Sequence, residues 1–158
     1  MQDVEVRGLD RLSKALGEIV KKAPDMQRGV HEKLGDSLRT VVQVNVRSHL
    51  NDSHGKISGW QKKYVGSRGG YVAIRATDYS SGPNSPGAIT NYLENGHAMR
   101  KNSLHSKRQS RRMRQMRYQA GSNWVRGRHF YLASRADAPR LLTAAAEDLA
   151  NEIADKLR

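Results

Sequence analysis

The chain has no cysteine. This excludes a disulfide framework, a thiolate nucleophile and any zinc site built on cysteine. Aromatics are scarce, with one Phe, two Trp and six Tyr. That is thin for stacking many bases and ordinary for a small α+β domain. No apolar run approaches the roughly 20 residues a membrane helix needs. The opening Met1-Gln2-Asp3-Val4-Glu5-Val6 has neither the basic start nor the apolar stretch of a secretory signal. The expectation is a protein with no membrane contact that works where it is made, or in something assembled there. Mean hydropathy is −0.77 and only 37% of residues are hydrophobic, so any core must come from a few amphipathic stretches. A length of 158 residues predicts one domain spanning 1–158.

The most telling absence is local. Between Glu94 and Asp137 there is no acidic residue, while eleven Lys/Arg fall in the same interval. They are Arg100, Lys101, Lys107, Arg108, Arg111, Arg112, Arg114, Arg117, Arg126, Arg128 and Arg135. Residues 1–94 carry 14 basic and 10 acidic side chains, and residues 137–158 carry 3 and 5. Nearly all of the net charge of +13 therefore sits in one block. A block of this density repels itself and is either solvated or matched to a polyanion or an acidic surface.

Around this block the periodicities predict an α+β domain. Val4 and Val6 alternate with acids and suggest a short strand. Leu9, Leu12, Leu16, Ile19 and Val20 recur at helical spacing. Ala23-Pro24 is expected to end that helix, with Pro24 in the first turn of a second. Met26, Val30, Leu34, Leu38 and Val41 mark the buried stripe of the second helix. Val42, Val44 and Val46 add a β-like alternation at its end, and Thr40–Arg47 is expected to be helix. Lys62–Val65 and Val72–Ala76 read as a hairpin around Gly69-Gly70. Ser85-Pro86 is an N-cap and first-turn pair, and Asn95-Gly96 closes the short helix between. Lys107–Tyr118 fits either a helix or an extended arm. Leu142, Ala145, Ala146, Leu149, Ile153 and Leu157 define a last helix. The resulting expectation is a small antiparallel sheet packed by two N-terminal helices and a long C-terminal helix, with a basic loop or arm inserted at about 98–126.

Little in the chain points to catalysis. Glu94 and His97 have the i, i+3 spacing of two ligands on one helix face, but Gly96 between them should end the helix first. A nuclease needs clustered carboxylates or a metal-linked histidine pair, and the most basic segment contains no carboxylate. There is no phosphate-binding GxxxxGK[ST] loop, no GxGxxG and no nucleophile elbow. No catalytic residue, metal or cofactor is expected. The basic block itself keeps three readings: a solvated loop, a phosphate contact that is salt-dependent and sequence-blind, or a dock for acidic faces of neighbouring subunits.

The order of elements carries a resemblance. Val4-x-Val6-x-Gly8-Leu9-x-x-Leu12 leads into helices, a hairpin follows, and then comes Ile89-Thr90-Asn91-Tyr92-Leu93-Glu94-Asn95-Gly96-His97. Gly127-Arg128-His129-Phe130-Tyr131-Leu132-Ala133 feeds the final helix. This resembles the small neck and tail-completion proteins, or minor tail components, of long-tailed bacteriophages. In that family a Tyr-x-x-x-Glu-x-Gly-like motif is followed, across a variable loop, by a His/Pro-Phe-Leu-x-Pro-Ala-like motif. Here Tyr92 stands two residues before Glu94, and Ala133 and Ser134 take the place of Pro-Ala. The likeness covers nearly everything outside 98–126.

The resemblance implies an α+β subunit of a homo-oligomeric ring at the head–tail junction, assembled in the bacterial cytoplasm and resident in the virion. Its partners would be head-closure or connector, tail-terminator and tail-tube proteins, with genomic DNA in the channel. Tyr92, Glu94, Gly96, His129 and Phe130 would be structural. Arg100, Lys101, Lys107, Arg108, Arg111, Arg112, Arg114, Arg117, Arg126 and Arg128 would form an arm facing DNA or a protein partner. The alternative reading is a small non-specific nucleic-acid-binding protein acting through the arginine-rich 100–117 segment.

Overall fold

A computed structural model describes residues 7–67, 69–77, 79–98 and 124–157. The expected strand at Val4–Val6, the helix-or-arm stretch Lys107–Tyr118, and Arg100, Lys101, Lys107, Arg108, Arg111, Arg112, Arg114 and Arg117 lie outside the described residues.

The fold is α+β, as the sequence predicts, but its N-terminal half differs from expectation. One helix, α1, runs unbroken from Arg7 to Leu50 with Pro24 inside it, where two helices are predicted. At about 1.5 Å per residue it is about 66 Å long. Proline in a helix interior forfeits one hydrogen bond and crowds the carbonyl four residues earlier, at a cost of about 3 kcal/mol. The helix continues because a second helix, α5 (Ala138–Leu157), packs along it on both sides of the proline. Ile19 and Lys22 before Pro24, and Met26, Gly29 and Val30 after it, all line grooves against α5. The bias of a pre-proline residue against helical backbone is thus overridden by packing. The stretch 40–47 is helix, as expected despite its valine alternation. Val42 and Val46, one turn apart, are buried, while Val44 between them is exposed.

After α1, a tight loop leads to α2 (Lys56–Trp60). The Asp52 carboxylate accepts from Ser58 N at 2.8 Å and supplies the cap that the N-cap residue, Gly55, lacks. The hairpin follows as predicted: β1 (Gln61–Val65) pairs antiparallel with β2 (Val72–Ala76), with Lys63 opposite Ile74. It lies on α1. Lys63 Nζ bonds Asp36 Oδ2 at 2.7 Å and Glu32 Oε2 at 2.9 Å, and these partners raise its pKa. His31 Nδ1 meets the Gly69 carbonyl.

Helix α3 (Pro86–Asn95) starts as its sequence dictates, with Ser85 Oγ accepting from Ala88 N at 3.2 Å and Pro86 in the first turn. Strand β3 (Gly96–Ala98) then pairs with β4 (Trp124–Arg126). The described strands thus form two separate two-stranded ladders rather than one sheet. This second ladder also trims the predicted insert. Ala98 and Trp124 are paired, so the insert between the described strands is 99–123 instead of 98–126. Helix α4 (Phe130–Arg135) precedes α5.

The core sits where α1, the hairpin, α3 and α4 meet. Phe130, the only phenylalanine, is fully buried against Val42 and Val46, with Leu50, Ile57, Ile74, Leu93 and Tyr131 packed around them. Among the described residues no helix is long and apolar enough to cross a membrane.

Candidate functional site

The two segments that carry the family resemblance are far apart in sequence and meet at Glu94. This residue is 9% exposed, at the end of α3. Its carboxylate accepts from Tyr131 N at 2.9 Å through Oε2 and from Leu132 N at 3.1 Å through Oε1. Its backbone carbonyl accepts from His129 N at 3.2 Å, and the neighbouring Leu93 carbonyl accepts from Arg128 N at 2.7 Å. The first N–H groups of a helix have no partner within it and carry partial positive charge, so a carboxylate there is a cap. His129, the formal N-cap of α4, makes no side-chain cap bond and holds a left-handed backbone with φ 53°. Glu94 supplies the missing acceptor from another helix.

Two glycines make this closeness feasible. Gly96 has φ 81°, and a Cβ on it would stand 2.4 Å from the Val125 carbonyl oxygen. A Cβ on Gly127 would stand 2.2 Å from the Glu94 carbonyl oxygen. The two backbones touch where any side chain would intrude.

The polar network continues inward. The Tyr131 hydroxyl donates to Gln61 Oε1, and Gln61 Nε2 donates to the Ile57 carbonyl at 3.1 Å. Gln61 is fully buried. Burial, helped by the negative charge of Glu94, pushes the Tyr131 phenol up to about 12. Asn45 Nδ2 donates to Ser134 Oγ at 3.0 Å, and Ser134 Oγ donates to the Phe130 carbonyl at 2.7 Å, fixing α4 on α1.

The sequence-designated residues divide accordingly. Glu94, Gly96, His129 and Phe130 come together in this junction. Tyr92 lies at its edge, 37% exposed, with its ring 5.3 Å from that of His97. Glu94 and His97 do not form the ligand pair considered above, since α3 ends between them and the Glu94 oxygens are turned to α4. Among the described residues no group of three or more His, Asp or Glu is placed to hold a metal ion. Arg126 and Arg128 are exposed on and just beyond β4, beside an exposed Trp124. His49 Nδ1 contacts the Arg128 carbonyl at 2.8 Å, which ties this basic rim to the end of α1.

Sequence reasoning did not single out Gln61, Tyr131 or Asp52. A lone Gln at the start of a strand carries no signal of burial, and Tyr131 enters only within the Gly127–Ala133 segment that feeds the final helix. Gly127 stood in the recognised segment, but nothing in its neighbours announced that it abuts Glu94.

The arrangement is a clasp that holds the two ends of a basic insert side by side. Compared with protein-family models, curated proteins and solved structures, the chain has no significant match.

Proposed function

We propose that this chain is a structural virion subunit of the neck or tail-completion type. In this reading it forms a ring at the head–tail junction and connects the DNA-filled capsid to the tail through protein contacts, without catalysis. The observation that carries the reading is the Glu94 clasp. The two segments that resemble the family's motifs are bonded to each other, and the segment they bracket is the basic insert. A stiff base that fixes both ends of an arm suits a subunit that works by contact. In the neck, arginines directed to the channel would meet phosphate with no sequence requirement. Directed outward, they would meet acidic surfaces of the adjoining rings.

A second reading rests on the rim of the clasp. Trp124 is 49% exposed and stands beside the exposed cations Arg126 and Arg128. An aromatic platform flanked by cations is how single-stranded nucleic acid is held without sequence preference. In this reading the chain acts alone as a small nucleic-acid-binding protein.

Electron microscopy of lysates separates the two. The phage or prophage genome encoding the chain receives a nonsense codon early in this reading frame, with complementation as control. Full heads and finished tails lying apart are the expected result. Abnormal or missing tails would assign a role in tail termination or assembly instead. Intact infectious particles would overturn the virion reading, and salt-sensitive binding of the purified chain to nucleic acid of any sequence, single strands included, would then favour the second.

A further inference from the structure

The alternation of Val4 and Val6 with acids calls for a strand, and a strand needs a neighbour to take its N–H and C=O groups. No described strand of the same chain is within reach. Val4 lies three residues before the start of α1 at Arg7, a span of at most about 11 Å. The β1–β2 hairpin sits over Gly35, where a Cβ would run into Lys63 and Val72. Gly35 is 28 residues along α1 from Arg7, or about 42 Å. Strands β3 and β4 lie farther still, tied through the Arg128 carbonyl to His49. Because α1 is unbroken it cannot fold the segment back, so a described strand that Val4–Val6 joins must belong to another molecule.

The hairpin offers such a strand an edge. The Gly66 N–H meets the Tyr71 carbonyl at 3.0 Å and the Thr77 N–H meets the Trp60 carbonyl at 3.0 Å, one step beyond each end of the ladder. In that phase Lys62 bonds with Arg75 and Tyr64 with Ala73, while Val72 and Ile74 turn their N–H and C=O groups away from β1. Among the described residues nothing bonds these outward groups. An edge of this kind is a template for another chain. Its side chains match the segment. Val72, Ile74 and Ala76 form an apolar row on the side of α1, and Ala73 and Arg75 form the outer row. The apolar-side row of β1 is Gln61, Lys63 and Val65, with the Lys63 amine held by Asp36 and Glu32, so β1 suits valines less well.

We propose that Asp3–Val6 of one copy adds to the outer edge of β2 of a second copy. Val4 and Val6 then extend the row of Val72 and Ile74, and Asp3 and Glu5 lie on the outer face beside Arg75. Cross-strand pairs of aliphatic residues and of opposite charges both favour that register. On this outer face Lys62 stands directly opposite Arg75, a like-charge pair that destabilises a bare hairpin and that an acidic third strand offsets. The Arg75 guanidinium is held there over the Tyr64 ring at 3.9 Å. The donor and acceptor surfaces lie about 42 Å apart on one chain, so the contact is head-to-tail. Such contacts close into rings or extend into chains. The inference needs no role in the neck, and its failure would leave the virion reading to the lysate experiment.

The test is sedimentation equilibrium of the full chain at micromolar concentrations, joined to amide hydrogen exchange at Val72 and Ile74. Val4→Pro removes a strand donor before α1 begins, and Arg75 is exposed, so both sets of variants should keep the helical circular dichroism of the parent. The parent is expected at a mass of two or more copies. Val4→Pro is expected as a monomer, with exchange at Val72 and Ile74 at least about tenfold faster. Arg75→Glu should weaken association about tenfold, and adding Asp3→Lys and Glu5→Lys to it should recover most of that loss. A monomeric parent would overturn the proposal. So would a Val4→Pro chain that associates and protects Val72 and Ile74 as the parent does, or a charge swap without recovery.

Discussion

Glu94 and Tyr131 are joined side chain to backbone, the Glu94 carboxylate taking the Tyr131 N–H at 2.9 Å. Through this bond and the one to Leu132, a helix that ends at Asn95 caps a helix that begins at Phe130. Glu94→Ala removes a charged acceptor from two helix-terminal donors and is expected to cost about 2 kcal/mol. Glu94→Gln keeps one acceptor and should cost about half as much. Urea unfolding measures both, and a loss equal for the two variants would show that the acceptor glutamine keeps contributes nothing without the charge.

Gly127→Ala is expected to be worse than either. Its Cβ would meet the Glu94 carbonyl oxygen at 2.2 Å, and backbone cannot move aside as a flexible side chain can. The clasp would have to open, so the loss should reach about 3 kcal/mol or more. Gly17→Ala is the control, since its Cβ would meet nothing within 4 Å. In mid-helix it should gain up to about 1 kcal/mol.

The hairpin, the capped helix α3 and the final helix were legible because their signals are local. Ser85-Pro86 and Asn95-Gly96 are punctuation that tertiary contacts only reinforce. The reading failed at Pro24, where the local signal was clear but packing along α5 overrode it. It was silent on Glu94 as a cap, because the helix it caps begins 36 residues later in the chain. A cap borrowed across that distance has no local pattern. The recognised segments could show that Glu94 and Phe130 belong together, but not that a carboxylate on two N–H groups is the reason.

Replacing Arg108, Arg111, Arg112 and Arg114 together by Ser tests the arm separately from the clasp. The described core and clasp are built from other residues, so thermal unfolding should stay within a few degrees of the parent. In the neck reading, complementation with this variant should give few infectious particles. Normal particle yield would remove the arm from assembly.

Tyr131 gives the fold an alkaline limit. Its phenol titrates near 10 when unfolded and at about 12 in the fold, where burial and the Glu94 charge disfavour phenolate. Between those values the unfolded chain releases a proton that the folded chain keeps, so stability falls as pH rises. The contribution is complete below pH 10 and lost through about pH 12. Tyr131→Phe leaves Gln61 Oε1 without its donor and should cost about 1 kcal/mol at neutral pH. Its disadvantage should shrink or reverse above pH 10, because phenylalanine has no proton to lose. Paired urea curves at neutral pH and at pH 11 check this, and a constant gap would place the tyrosine in a solvated site.

Pro24 is exposed in mid-helix, with no N–H to offer the Val20 carbonyl. Pro24→Ala restores that bond and relieves the crowding of the carbonyl, worth up to about 3 kcal/mol in a helix. Against this, the unfolded chain regains freedom that proline denied it, worth up to about 1 kcal/mol. The net expectation is a gain of about 1–2 kcal/mol, read as a higher urea midpoint with an unchanged slope. A loss would mean that a bend at Pro24 fits α1 to α5, since kinks concentrate at proline and α5 grips the helix on both sides of it.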